Sequence, residues 1–176
     1  MAEYRFNTSE FKEKATCRNS LIQLPQQEHS LLSKYNILRW IMFDTKIAIL
    51  VRDDLATWQK LNVTAFLMSG ITGANSGLIG GNYVDFEGNT YLPMSRQPVI
   101  VLTGSANVLR NARKRANERG VKTVAYIEQM FSTGHDEENR KVFSEHASAE
   151  ENTVGLALRA DKKVVDKITK GAKMHL

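Results

Sequence analysis

The run Lys46-Ile-Ala-Ile-Leu-Val-Arg-Asp-Asp-Leu55 constrains this chain more than any other stretch. Its centre, Ile47 to Val51, is a continuous apolar segment of strand length bounded by charge. That pattern suits a strand buried on both faces. The next segment reads as helix: Asp53, Asp54 and Thr57 are turn and N-cap types. Trp58, Leu61, Ala65 and Met68 then fall at helical spacing and are expected to form its buried face. Gly70, Gly73 and Gly77 end it.

The alternation continues downstream. Tyr83 to Tyr91 alternates in part and carries Glu87-Gly-Asn89 at its middle, a hairpin signature. Pro98 to Leu102 reads as a second buried strand. Thr103-Gly-Ser105 opens a helix with Ala106, Leu109, Ala112 and Ala116 inward and Gly120 as its stop. Val121 to Ile127 is a third strand, Asp136 to Glu151 an acidic helical stretch, and Thr153 to Leu158 a fourth strand. Asp161 caps a last helix with Val164, Val165 and Ile168 inward, and with Lys162, Asp166 and Lys170 at ion-pair spacing. Strands alternating with helices predict an α/β domain with a largely parallel or mixed sheet.

Residues 1–41 read differently. They hold no glycine and no strand-like alternation, only a late apolar cluster from Leu31 to Ile41 at partly helical spacing. The domain is therefore expected at 42–176, beginning at Met42, with 1–41 an extension outside the core joined by start-site misassignment. The competing reading is a native N-terminal helix packed on the domain. Mass spectrometry of the mature N-terminus from the native locus separates the two.

A length of 176 residues gives room for one domain with a real core. No apolar run reaches the roughly 18 residues that spanning a membrane takes, and the N-terminus lacks the apolar stretch of a secretory signal. The single cysteine, Cys17, rules out an internal disulfide and fits a reducing cytoplasm. A net charge of +5 leans towards an anionic partner.

Lys60 is the first candidate for chemistry. With Thr57 as N-cap it takes the third helical position, where a capping box has Glu or Gln. A cation there opposes the helix dipole, at about 0.3–1 kcal/mol. Asp53, Asp54 or a bound phosphate or carboxylate would offset that, past the carboxyl end of a strand, where open α/β sheets hold ligands. Two readings stand: an anion site, or a surface lysine paired to an aspartate. Asn62 and Thr64 follow, either as ligand contacts or as the helix's wet face. Glu128 ends the third strand, as a general base, a partner of Lys60 or an ordinary strand-end carboxylate. Ser132 and Thr133 come next, and Thr133-x-x-Asp136 has the form of a capping box. Thr103-Gly-Ser105 suits an anion or plain capping. The basic stretch Arg110, Arg113, Lys114, Arg115, Arg119 and Lys122 has two readings, a solvated helix face first and a phosphate-backbone contact surface second. His29, His135, His146 and His175 show no metal-site spacing, and nucleotide-fold and serine-hydrolase fingerprints are absent. Neither metal nor cofactor is expected.

Lys46 to Leu55, with Lys60 following, resembles the opening of type II peptidyl-tRNA hydrolases: a strand ending Arg-x-Asp-Leu, then a lysine at the head of an Ala-rich helix. Pro98 to Leu102, Leu109 to Gly120, Thr153 to Leu158 and Asp161 to Lys170 resemble that family's later elements in the same order. Trp58 to Phe66 is closer still to the domain-of-unknown-function-two-thousand family, of the same fold, whose members usually begin near the position of Met42. The resemblance implies a three-layer mixed-sheet domain of peptidyl-tRNA hydrolase II-like fold over residues 46–176. It implies Lys60, Glu128, Ser132 and Thr153 as catalytic residues of a hydrolase of peptidyl-tRNA or another ester or amide. Lys60 would stabilise charge, and Glu128 would serve as base or orienter. The departures are Glu128-Gln-Met130 for the family's Asp-Ala-Gly, Gln59 for the glycine before the lysine, Leu67 for a helix histidine, and a longer loop between Ser132 and Thr153. Those departures put another expectation first: a protein binding an anionic small molecule through Asp54, Lys60, Asn62 and Thr64. tRNA is an implied partner, a homodimer an implied assembly, and no membrane association is expected.

Overall fold

The computed structural model describes residues 43–175; the expected extension, Cys17 and His29 lie outside them. In chain order the elements are β1 (Thr45–Arg52), α1 (Thr57–Gly73), β2 (Tyr83–Val84), β3 (Thr90–Tyr91), β4 (Val99–Gly104), α2 (Ala106–Glu118), β5 (Thr123–Ile127), a 3-10 turn (Glu128–Ser132), α3 (Asp136–Ser144), β6 (Thr153–Asp161), α4 (Lys162–Ile168) and β7 (Lys173–Met174). The main sheet has five strands in the order β5-β6-β1-β4-β7, while β2 and β3 pair only with each other. β1 is parallel to β4 and antiparallel to β6, which is antiparallel to β5. The sheet is therefore mixed.

β1 behaves as its apolar run requires. Side chains alternate across a strand, so Ile47, Ile49 and Val51 pack with Val63, Leu67 and Ile71 of α1. Ala48 and Leu50 pack with Leu109, Ala112 and Ala116 of α2 and with Val165 and Ile168 of α4. The result is a sheet between two helical layers. No helix among the described residues is long and apolar enough to cross a membrane.

α1 corrects two expectations. Its N-cap is Ala56, not Thr57, so Gln59 takes the third position and Lys60 the fourth. Gln59 plays the expected capping role: its Oε1 accepts the Ala56 N–H at 3.0 Å. The predicted buried face is also mostly the wrong one. Trp58 and Leu61 are 62% and 68% exposed, while Val63, Leu67 and Ile71 are buried and Met68 is half-buried. Both stripes of the helix are apolar, so periodicity alone cannot choose between them. Contact with β6 chooses. A Cβ at Gly155 would fall 2.3 Å from Val63 Cγ1 and 2.9 Å from Leu67 Cδ1, so the missing side chain is what lets that stripe seat on the strand.

Elsewhere the differences are local. Leu109, Ala112 and Ala116 are buried as expected, and Gly120 ends the helix at φ +64. Asp161 caps α4 by accepting from the Lys163 N–H at 2.8 Å. Asp166 pairs with Lys46 of β1, a contact between strand and helix that spacing along α4 does not reveal. α3 ends at Ser144 rather than reaching Glu151, and its N-cap is His135, not Thr133. The Thr133 hydroxyl bonds instead to the Met130 carbonyl (2.8 Å) and to Asn139.

Candidate functional site

The strand directions bring the carboxyl ends of β1, β4 and β5 and the start of β6 to one edge of the sheet. α1 and α2 begin there as well. Such an edge is where open α/β sheets hold ligands.

Arg52, the last residue of β1, is only 9% exposed. Its Nε donates to Asp54 Oδ1 at 2.6 Å and its Nη1 to Glu128 Oε2 at 3.0 Å. Burial alone would lower its pKa; the hydrogen bonds and charges of Glu128 and Asp54 outweigh that and raise it. The Glu128 N–H donates to the Asn152 carbonyl at 2.9 Å, so this arginine links the ends of β1 and β5 across β6. The partner of Glu128 and Asp54 is thus Arg52. Among the described residues Lys60 makes no ion pair.

The other sequence candidates divide between faces. Asn62 lines a cleft with Trp58 and Phe66, each one helical turn away. At 100° per residue, Lys60 stands about 160° from Asn62, on the other side of α1. Thr64 is occupied in donating to the Lys60 carbonyl at 2.7 Å. Ser132 is exposed at the end of the 3-10 turn. Thr153 belongs to the opposite layer from Lys60. The β5–β6 register shifts between Tyr126 and Ile127, and Thr153 turns towards α2 while Val154 joins the α1 core.

There Thr153 meets Arg113, a residue that reading the basic stretch as one solvated face overlooks. Arg113 is 7% exposed. Its Nη1 donates to Thr153 Oγ1 at 3.2 Å, and its guanidinium carbon lies 5.2 Å from the centre of the Phe143 ring. It makes no ion pair among the described residues; Glu150 acts on it only through space, and burial pushes its pKa down. The sequence did hold a signal, because Arg113 shares the apolar face of α2 with Leu109, Ala112 and Ala116. The solvated-face reading holds for Lys114, Arg119 and Lys122, which are exposed. Arg110 pairs with Glu151 at 2.5 Å. Arg115 donates to the carbonyls of Ile168 and Lys170, both at 2.9 Å, and ties α2 to the end of α4. Near Thr153, Asn152 Oδ1 is buried without a hydrogen-bond partner, while its Nδ2 donates to Gln129 (3.3 Å) and Glu150 (3.4 Å).

A second feature lies beside α1. A cleft of about 440 Å³ separates it from the 3-10 turn and the start of α3. Its wall is aromatic: Trp58 meets Phe131 edge-on at 5.8 Å, and Tyr126 lies 5.2 Å from Phe131 and 5.8 Å from Phe66. Among the described residues no group of three His, Cys, Asp or Glu residues is placed to hold a metal ion.

Residues 45–176 match the model of the family described as Protein of unknown function (DUF2000). The chain belongs to this family. A solved structure of a protein of unknown function from Agrobacterium tumefaciens strain C58 is similar to it. The two are 56% identical with a TM-score of 0.76, over 77% of this chain and 100% of that chain. No curated protein matches the sequence.

Proposed function

We propose that this DUF2000 protein binds a small anion, a carboxylate or a phosphate, at the carboxyl edge of its sheet, with Arg113 as the main contact. One observation carries the reading: an arginine only 7% exposed, without a carboxylate bonded to its guanidinium. Taking such a charge out of water costs several kcal/mol, and an opposite charge is what offsets the cost. Arginine has five donors in a planar fork that matches carboxylate and phosphate oxygens. Thr153 occupies one of them, and its own O–H has no acceptor among the described residues. Lys60, which begins the opposite helical layer at the same edge, would add long-range attraction rather than the contact itself.

The test is a thermal-shift panel of inorganic phosphate and small mono-, di- and tricarboxylates. A ligand at 100 times its dissociation constant adds about 2.7 kcal/mol. The wild type is expected to gain several degrees with at least one of them and Arg113→Gln to gain none. No response in the wild type, or an equal response in both proteins, would sink the proposal.

A second reading is a hydrolase of peptidyl-tRNA or another ester or amide, on a peptidyl-tRNA hydrolase II-like fold. It is favoured by the placement of Lys60, Glu128, Ser132 and Thr153 on elements that meet at one sheet edge. It requires Glu128 to leave Arg52 before it can act as a base. Release of peptide from peptidyl-tRNA by the wild type and Lys60→Ala decides it; equal background rates would remove tRNA as the substrate.

A further inference from the structure

The arm that carries β2 and β3 stands apart from both cores. It starts where the Arg96 N–H donates to the Leu78 carbonyl at 2.9 Å, passes the Ile79–Ser95 bridge and ends at a tip around Phe86. At about 3.3 Å per residue that is a reach of roughly 25 Å. Tyr83 (48%), Val84 (64%), Phe86 (104%), Tyr91 (54%), Leu92 (85%) and Met94 (60%) are all exposed. None of them belongs to either core cluster.

The arm is nevertheless built. Asp85 accepts from the Glu87 N–H (3.0 Å), the Asn89 N–H (2.8 Å), Asn89 Nδ2 (2.9 Å) and the Tyr91 O–H (2.8 Å). Gly88, at φ +90, makes the turn that other residues resist. A two-stranded hairpin by itself is marginal in water, so a specified hairpin with its apolar side chains outward calls for a surface to lie on. Because side chains alternate across a strand, Tyr83 and its register partner Tyr91 share one face and Val84 and Leu92 the other, so the exposed apolar side chains cover both faces of the hairpin. The face with Val84 and Leu92, together with Phe86 at the tip, offers on the order of 500 Å², so two such faces bury about 1,000 Å², the least a specific interface needs.

Charge selects the partner. The tip carries Glu87 and the base carries Arg96, both exposed and neither in an ion pair among the described residues. Two arms laid antiparallel about a two-fold axis bring the acidic tip of each to the basic base of the other. A two-fold contact of this kind closes without building a fibre.

We propose that the arm is a dimerisation element. Two copies of this chain associate through antiparallel arms, the faces that carry Val84 and Leu92 together, with a Glu87–Arg96 ion pair at each end. The test is analytical ultracentrifugation of the full chain at micromolar concentration. The wild type is expected to sediment at twice the chain mass of 19.8 kDa. Phe86→Asp with Leu92→Asp changes only exposed side chains; it is expected to weaken the dimer about a hundredfold while leaving the far-UV circular dichroism unchanged. Glu87→Arg and Arg96→Glu are each expected to weaken it, and the two together to restore it. A monomeric wild type would hand the arm to another segment or protein and overturn the proposal. So would a dimer that survives the Phe86/Leu92 change, or a charge swap without rescue.

Discussion

Gly155→Ala tests how α1 is seated on the sheet. The added methyl would lie 2.3 Å from Val63 Cγ1 and 2.9 Å from Leu67 Cδ1. Carbon atoms in good contact sit about 3.5–4.0 Å apart. Neither neighbour has room to retreat: Val63 and Leu67 are both 0% exposed, and a helical valine has one strongly preferred rotamer. The helix must therefore lift from β6 by roughly an ångström, an overpacking that costs about 1–3 kcal/mol. At roughly 3–4 °C per kcal/mol for a domain of this size, Tm should fall by about 3–12 °C. Val63→Ala removes the nearest atom and by itself costs about 2 kcal/mol through lost burial. The double variant should be more stable than the sum of the single losses predicts, by at least about 1 kcal/mol, because the new methyl then has space. Urea unfolding with linear extrapolation reads all of these quantities. A neutral Gly155→Ala, or losses that add within about 0.5 kcal/mol, would refute the close-approach argument.

Other consequences follow from the same contacts. Leu67→Ala removes a fully buried side chain between α1 and β6 and should cost about 2–5 kcal/mol in the same unfolding assay. Arg52→Met cuts both links at the sheet edge, but its carboxylate partners are exposed, so the loss should stay near about 1 kcal/mol. Amide exchange should quicken in the 3-10 turn after Glu128, and unchanged exchange there would contradict the role given to Arg52. Hydrogen bonds from Asn89 and then Tyr91 hold the Asp85 carboxyl below its ordinary value of 3.8. A depressed carboxylate contributes its stability above the unfolded pKa and loses it as pH falls through the lower folded value. The arm should therefore keep its Tyr91 ring signals at pH 4 and lose them only in stronger acid; loss above the ordinary aspartate value would count against the turn.

β1 was legible because five apolar residues between charges have few ways to be buried. The later strands, the inward face of α2 and the caps at Gly120 and Asp161 followed from equally local signals. α1 was not legible in the same way. Its apolar residues make two stripes, and the choice between them rests on Gly155, nearly ninety positions away. The contacts around the candidate site were hidden for a related reason. Lys60 announces itself as a cation in the wrong part of a helix, whereas Arg113 sits in a basic run where one more arginine draws no notice. What distinguishes Arg113 is the tertiary contact with Thr153, and that contact depends on a register shift with no local sequence mark. The pairing of Arg52 with Glu128 likewise joins residues 76 positions apart.

Isothermal titration separates the two cations most directly, using whichever carboxylate or phosphate gives the largest thermal shift. Wild type, Lys60→Ala and Arg113→Gln are titrated at two salt concentrations. Binding centred on Arg113 predicts that Lys60→Ala changes affinity by no more than a few-fold, with the difference shrinking as salt screens it. Arg113→Gln should weaken binding by at least about tenfold at both salt concentrations, the loss expected of one charge-assisted hydrogen bond. If Lys60→Ala abolishes binding while Arg113→Gln leaves it intact, the anion lies on the α1 side of the sheet and the account is wrong.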